Sequence, residues 1–146
     1  MVNPTHLLLV DDDPSVAITL KAVLEQENCM VRTSKSPTEV NDLLGHEQFH
    51  VAVVDLRLGQ ANGIDVLKIL RGRQPDCASI VLTGYGSLET SVAALREGAY
   101  DYLLKPTNLD QLKRTVKGAR TRSDASRACR ECLEEQRSNA PRPRGN

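Results

Sequence analysis

Acidic, hydroxyl and amine side chains stand directly after short apolar runs at four places in this chain. Asp11-Asp12-Asp13 follows Leu7-Leu-Leu-Val10, and Asp55 follows Val51-Ala-Val-Val54. Thr83-Gly84 follows Ile80-Val-Leu82, and Lys105-Pro106 closes the run from Tyr100 to Leu104. Carboxylates brought together repel: two unit charges about 4 Å apart cost about 4 kcal/mol at an effective dielectric near 20. Raised carboxyl pKa values or a bound cation must offset that cost. An oxygen-only donor set with room for water suits Mg²⁺, with Mn²⁺ as the alternative, and does not suit Zn²⁺. The same set could carry phosphoryl transfer. Asp55 is the natural nucleophile, because a carboxylate can form an acyl phosphate. A cation and Lys105 would offset charge on the phosphoryl oxygens, and the Thr83 hydroxyl would hydrogen-bond one of them. Each residue alone has a plainer use: Asp13 before Pro14 reads as a helix N-cap, and Thr83-Gly84 as a turn.

This chemistry requires elements that bring distant positions to one edge. The runs 7–10, 51–54 and 80–82 are continuously apolar, as strands buried on both faces are. Cys29 to Arg32 is a weaker second strand, and Tyr100 to Leu104 is a fifth. Between them lie helical patterns. Val16, Leu20, Val23 and Leu24 share one face of the first helix. Ser36-Pro37-Thr38-Glu39 fits a capping box ahead of Val40, Leu43 and Leu44, with Gly45 as the stop. Asn62 caps a third helix with Ile64, Leu67 and Leu70 inward and Gly72 as terminator. Leu88, Val92 and Leu95 supply the apolar face of a fourth helix that Gly98 ends. Asn108 caps a fifth, with Leu109, Leu112, Val116 and Ala119. Alternating strands and helices predict an α/β doubly wound five-stranded parallel sheet. In such sheets ligands bind beyond the carboxyl ends of the strands, which is where the polar residues stand.

Composition narrows the function classes. The chain has 146 residues, 40% hydrophobic and 26% charged, with 19 basic and 19 acidic residues. Trp is absent and Phe occurs once, so a base-stacking surface for nucleic acid is not expected. No apolar run approaches the about 20 residues a membrane span needs. No secretory signal pattern is visible at the start, and the expected location is cytoplasmic. The neutral total hides an asymmetry. Residues 1–116 hold 11 Lys and Arg against 15 Asp and Glu, giving −4, and residues 117–146 hold 8 against 4, giving +4. The domain expectation is therefore a body over 1–121 and a basic, partly helical or disordered tail over 122–146. Cys29 and Cys77 border apolar stretches and read as buried free thiols. Cys129-Arg-Glu-Cys132 has no second ligand pair at zinc spacing, so no role follows for it.

The segments Leu7-Leu-Leu-Val-Asp-Asp-Asp-Pro14, Val53-Val-Asp-Leu-Arg-Leu58, Ile80-Val-Leu-Thr-Gly-Tyr-Gly86 and Ala99-Tyr-Asp-Tyr-Leu-Leu-Lys-Pro106 resemble the receiver domain of bacterial two-component response regulators. The resemblance covers about residues 5–120 and implies a flavodoxin-like fold with strand order 2-1-3-4-5. It implies that Asp55 is the phosphoacceptor, charged by a histidine kinase or phosphotransfer protein. Asp12 would bind Mg²⁺ directly, Asp11 largely through water, and the backbone carbonyl of Arg57 would complete the protein ligands, with Asp13 outside. Thr83 and Lys105 would contact the phosphoryl group, and Lys105-Pro106 would be cis. Thr83 and Tyr102 would form the switch, relaying the change to the face of the fourth helix, fifth strand and fifth helix. That face could serve an output protein or domain, or a homodimer. The resemblance implies a phosphoacceptor that catalyses its own phosphorylation and dephosphorylation and has no external turnover substrate. Arg57 and Tyr85, each two residues after a site residue, could overhang the phosphoryl group and slow its hydrolysis. Two other readings compete: a metal-dependent phosphohydrolase with an aspartate nucleophile, whose Asp-x-Asp pattern is here Asp55-Leu-Arg57, and a flavodoxin-like electron carrier, whose phosphate loop would not be Asp-rich. A receiver-like docking module that accepts no phosphate is a third.

Overall fold

The structure, a computed structural model, describes residues 3–84 and 86–139. Five parallel strands form the sheet: β1 (Thr5–Val10), β2 (Cys29–Ser34), β3 (Val51–Val54), β6 (Ala78–Thr83) and β7 (Asp101–Leu104). Their spatial order is β2-β1-β3-β6-β7, the 2-1-3-4-5 arrangement expected from the sequence. The weak second strand pairs with β1 along its full length, from Thr5↔Cys29 to Val10↔Ser34. Between Asp55 and the third helix the chain adds a two-stranded hairpin, β4 (Arg57–Leu58) and β5 (Ala61–Asn62). The helices are α1 (Pro14–Glu25), α2 (Pro37–Leu44), α3 (Gly63–Arg73), α4 (Leu88–Arg96) and α5 (Leu109–Ser138).

Strand alternation divides the core in two. Leu7, Leu9, Val53, Ile80 and Leu82 face α1 and α5, meeting Leu20, Leu24, Leu112, Val116 and Ala119. Leu8, Val10, Val54 and Val81 face α2, α3 and α4, meeting Val40, Leu67, Leu70 and Ala94. The caps at Asp13, Ser36, Asn62 and Asn108 are as expected, each side chain accepting backbone N–H groups of its helix.

Two local readings differ from the sequence expectation. Gly72 does not terminate α3; the helix runs through it to Arg73 and is capped at Gln74. The apolar residues of α4 do not face inward: Leu88 is 82% exposed and Leu95 60%, and Ala94 is the buried residue of that helix. α5 runs without interruption to Ser138, so the first part of the basic tail is helical. Gly118 lies within it because the Tyr100 ring packs there, its hydroxyl 2.5 Å from where a Cβ would sit. The extension is tied back to the loop before β6: Ser126 Oγ donates to Asp76 Oδ1 at 2.8 Å, and Arg130 pairs with the same oxygen at 3.2 Å.

Gly63 opens α3 directly beneath β3. Its N–H donates to the Leu56 carbonyl at 2.8 Å, and a Cβ there would collide with the Asp55 carbonyl oxygen. Helix propensity favours Ala by about 1 kcal/mol, but the collision is with backbone and cannot relax cheaply. Gly63→Ala therefore lowers stability in urea denaturation, by about 1–3 kcal/mol. A midpoint equal to or above that of the native chain contradicts this packing.

Candidate functional site

Parallel register places the polar residues together. Val10 is opposite Val54 and Val54 is opposite Val81, so Asp11 and Asp55 follow equivalent positions on neighbouring strands. Thr83 ends β6, opposite Leu104 of β7, and the Lys105 N–H donates to the Thr83 carbonyl at 2.9 Å. Backbone bonds fix the acids: Asp11 N–H donates to Ser34 O at 3.0 Å and Asp55 N–H to Val10 O at 2.9 Å. The strands thus end in step, and the next side chains project into one pocket.

Lys105 is the centre of that pocket. Its Nζ donates to Asp11 Oδ2 at 2.8 Å and to Asp55 Oδ2 at 2.9 Å. Both carboxylates are buried, with side chains 3% and 8% exposed. Burial alone would depress the Lys105 pKa, but the hydrogen bonds and charges of Asp11 and Asp55 together outweigh it and raise it. The stabilisation from this pairing is therefore complete below the ordinary lysine range and is lost only as pH rises through the raised pKa.

Asp12 is exposed, and its Oδ2 accepts the Gly59 N–H at 2.8 Å. Gly59 sits in the β4–β5 turn at φ +62°, a conformation that favours glycine. The hairpin therefore holds Asp12 over the pocket. Asp11, Asp12 and Asp55 each present an oxygen, and these lie within 4.8 Å of one another. Hard, hydrated divalent cations take such oxygen donors, so the residues present fit Mg²⁺. Asp13 is occupied as the α1 cap, accepting from Ser15 and Val16 N–H, and stands outside the cluster. Arg57 is exposed beside it, its N–H donating to Asp55 Oδ1 at 3.2 Å. Thr83 is fully buried at the end of β6. Tyr85 lies outside the described residues.

Tyr102 is half-buried on β7, and its hydroxyl hydrogen-bonds the Thr90 hydroxyl at 2.7 Å. Thr90 is also the N3 residue of the α4 capping box with Ser87. Sequence reasoning missed Gly59, Gly63 and Thr90. The turn-forming composition of Gly59-Gln-Ala-Asn-Gly63 carried a signal for the first two, but a Thr meeting a Tyr twelve residues away leaves none.

With the geometry in place, comparison with known proteins assigns the class. Residues 7–117 match the family of the response regulator receiver domain. Photosynthetic apparatus regulatory protein RegA of Cereibacter sphaeroides is 43% identical over 106 residues, 73% of this chain and 58% of that protein. Alginate biosynthesis transcriptional regulatory protein AlgB of Pseudomonas putida is 38% identical over 111 residues, 76% of this chain and 25% of that protein. A solved response regulator from Burkholderia pseudomallei, with a phosphorylated aspartic acid, calcium ion and citrate, is 34% identical with a TM-score of 0.74, covering 86% of this chain and 74% of that one. The chain belongs to the receiver domain family of two-component response regulators, which are phosphorylation-operated signalling switches. It spans little more than half of RegA and a quarter of AlgB. Receiver domains bind Mg²⁺ at an acidic pocket, and a cluster of three aspartates stands at the carboxyl edge of this sheet. No described helix is long and apolar enough to cross a membrane.

Removing the one ammonium should expose the repulsion it offsets. In metal-free buffer, Lys105→Met lowers stability by about 3 kcal/mol, as breaking a buried pair does, and adding Asp55→Asn restores much of the loss. Denaturation curves showing the single variant as stable as the native chain contradict the pairing.

Proposed function

We propose that Asp55 is the phosphoacceptor of this receiver, taking a phosphoryl group from the phosphohistidine of a sensor kinase or phosphotransfer protein. In the transfer a P–O bond forms to a carboxyl oxygen of Asp55 while the P–N bond breaks, its electron pair leaving on the donor histidine's nitrogen, so that with its proton the ring departs as neutral imidazole. The observation that carries the reading is the single ammonium of Lys105 bonded to Asp11 and Asp55 at once. It holds the Asp55 carboxylate in place and stands ready to bond a phosphoryl oxygen. The phosphorylated aspartic acid of the Burkholderia relative supports it.

Asp11, Asp12, Asp55 and the Arg57 carbonyl would hold Mg²⁺, which when bound supplies positive charge to the phosphoryl oxygens. Thr83 would donate its hydroxyl to one of those oxygens. No external substrate is turned over; the site acts on its own chain. The change would pass from Thr83 to Tyr102 and, through the Thr90 hydroxyl, to the start of α4. Phosphorylation shifts the population of states only through such differential contacts. Leu88, Leu95, Leu104 and Leu109 leave apolar surface exposed on α4, β7 and α5, which supports this face as the one that meets an output partner or a second receiver. The receiver unit is residues 1–121, and 122–146 form a tail whose first part continues α5. The aspartate-phosphohydrolase reading loses to this one because position 57 is Arg and no cap domain is present in the described residues.

Incubation with acetyl phosphate and Mg²⁺ is expected to add one phosphoryl group by intact mass. Asp55→Asn adds none, and a chelator abolishes the reaction; labelling of Asp55→Asn to the native extent contradicts the assignment. Arg57 is exposed beside the acceptor, where its side chain can obstruct the attacking water. Arg57→Ala is accordingly expected to shorten the lifetime of the phosphorylated chain, followed by phosphoryl loss over time. An unchanged time course removes Arg57 from the account.

A further inference from the structure

At the amino-terminal edge of the sheet, across the domain from the aspartate cluster, lies a cavity of about 850 Å³ between α1, β2 and α5. Its charged lining comprises Lys21, Arg32, Arg120 and Arg127 against Glu25 and Glu47. The acids are all engaged. Lys21 meets Glu25 at 3.7 Å, and Arg32 meets Glu47 at 2.8 Å through one guanidinium nitrogen and at 2.9 and 3.1 Å through another. Arg120 pairs with Asp124 at 3.1 Å and donates to Asn3 O and Thr5 Oγ1. Arg127, half-buried on α5, has no ion pair and no hydrogen bond among the described residues.

A second observation points to the same spot. His50 lines the cavity, and its Nδ1 accepts the His6 N–H at 2.9 Å. A neutral imidazole that accepts at Nδ1 carries its proton on Nε2, so His50 offers a donor. Burial first, then the charge of Arg120, hold the His50 pKa down at about 4; Asp124 opposes them, and Arg127 and His6 add to the depression. The charge of Arg127 also reaches the half-buried Cys77. Its charge is therefore felt at both groups. A guanidinium with no ion pair is open to an anion, and its fork is matched in shape to phosphate and carboxylate.

We propose that this cavity binds a small ligand through an oxyanion group, phosphate or carboxylate, seated on the Arg127 guanidinium and the His50 Nε2–H. The ligand would bridge the domain body, which supplies His50, and the α5 extension, which supplies Arg127. It would hold the extension where Asp76 already bonds Ser126 and Arg130. The site stands apart from Asp55 and does not depend on the role given to that residue.

The test is a titration of the full chain in chelator at pH 7, with inorganic pyrophosphate in one arm and malonate in the other. The readouts are the NMR signals of the His50 ring and the Arg127 side-chain N–H. Saturable shifts at both are expected with at least one probe; saturation by pyrophosphate alone marks a phosphate-bearing ligand, and by malonate alone a carboxylate. Arg127→Gln weakens binding by about tenfold or more, as loss of a charge-assisted fork does. Arg127→Lys, which keeps charge and fold but loses the fork, gives an intermediate value. Asp55→Asn and Arg122→Gln bind as the native chain does. The proposal is overturned by non-saturating shifts in both arms, by saturation that Arg127→Gln leaves unchanged, or by shifts spread over surface lysines, which mean an adventitious ion only.

Discussion

Lys105 reaches across the carboxyl edge of the sheet to two buried carboxylates, 2.8 and 2.9 Å away. Asp12 stands within the same 4.8 Å cluster. Three carboxylates against one ammonium leave a formal charge of −2, counting each ionised. A low-dielectric pocket amplifies that imbalance. The rest of the structure is arranged to keep these groups together despite it: parallel strands ending in step, the backbone N–H groups of Asp13 and Arg57 donating into the Asp11 and Asp55 carboxylates, and a hairpin N–H donating into Asp12. A site that is held together under repulsion is ready for a cation and for an incoming anionic group that needs one.

The same constraint explains why much of the site was legible in the sequence. Strands buried on both faces are mostly apolar, so an acid or an amine stands out where such a run ends. Asp11, Asp55, Thr83 and Lys105 were visible because each interrupts such a run. The caps were legible for a similar reason: Asp13, Ser36, Asn62 and Asn108 are short polar side chains that satisfy otherwise orphaned N–H groups. The sheet order followed from alternation of strands and helices, with family resemblance supplying the particular permutation.

What the sequence hid depends on contacts rather than on pattern. The periodicity of Leu88, Val92 and Leu95 looks like a buried face, yet Ala94 is what packs, and the leucines stay exposed. Periodicity reports an apolar stripe and not what covers it. Gly118 lowers helix propensity, but the helix needs a residue without a side chain there because Tyr100 lies against it. Gly72 could have stopped α3, but the third helix continues one residue further and closes on Gln74, which also accepts the Phe49 N–H and donates to the Glu47 carbonyl. Thr90 links Tyr102 to the α4 capping box through a side-chain contact across the fold. α5 likewise joins two edges of the molecule, packing its first half on the core and returning its second half to Asp76.

The central claim is that Asp11, Asp12 and Asp55 form one cation site balanced against Lys105. A crystal of the chain grown with Mn²⁺ tests it most directly, through an anomalous difference map. The account predicts one strong peak bonded to carboxylate oxygens of Asp12 and Asp55, with Lys105 still within reach of the pair. A peak elsewhere on the surface, or none in this pocket at saturating Mn²⁺, contradicts it.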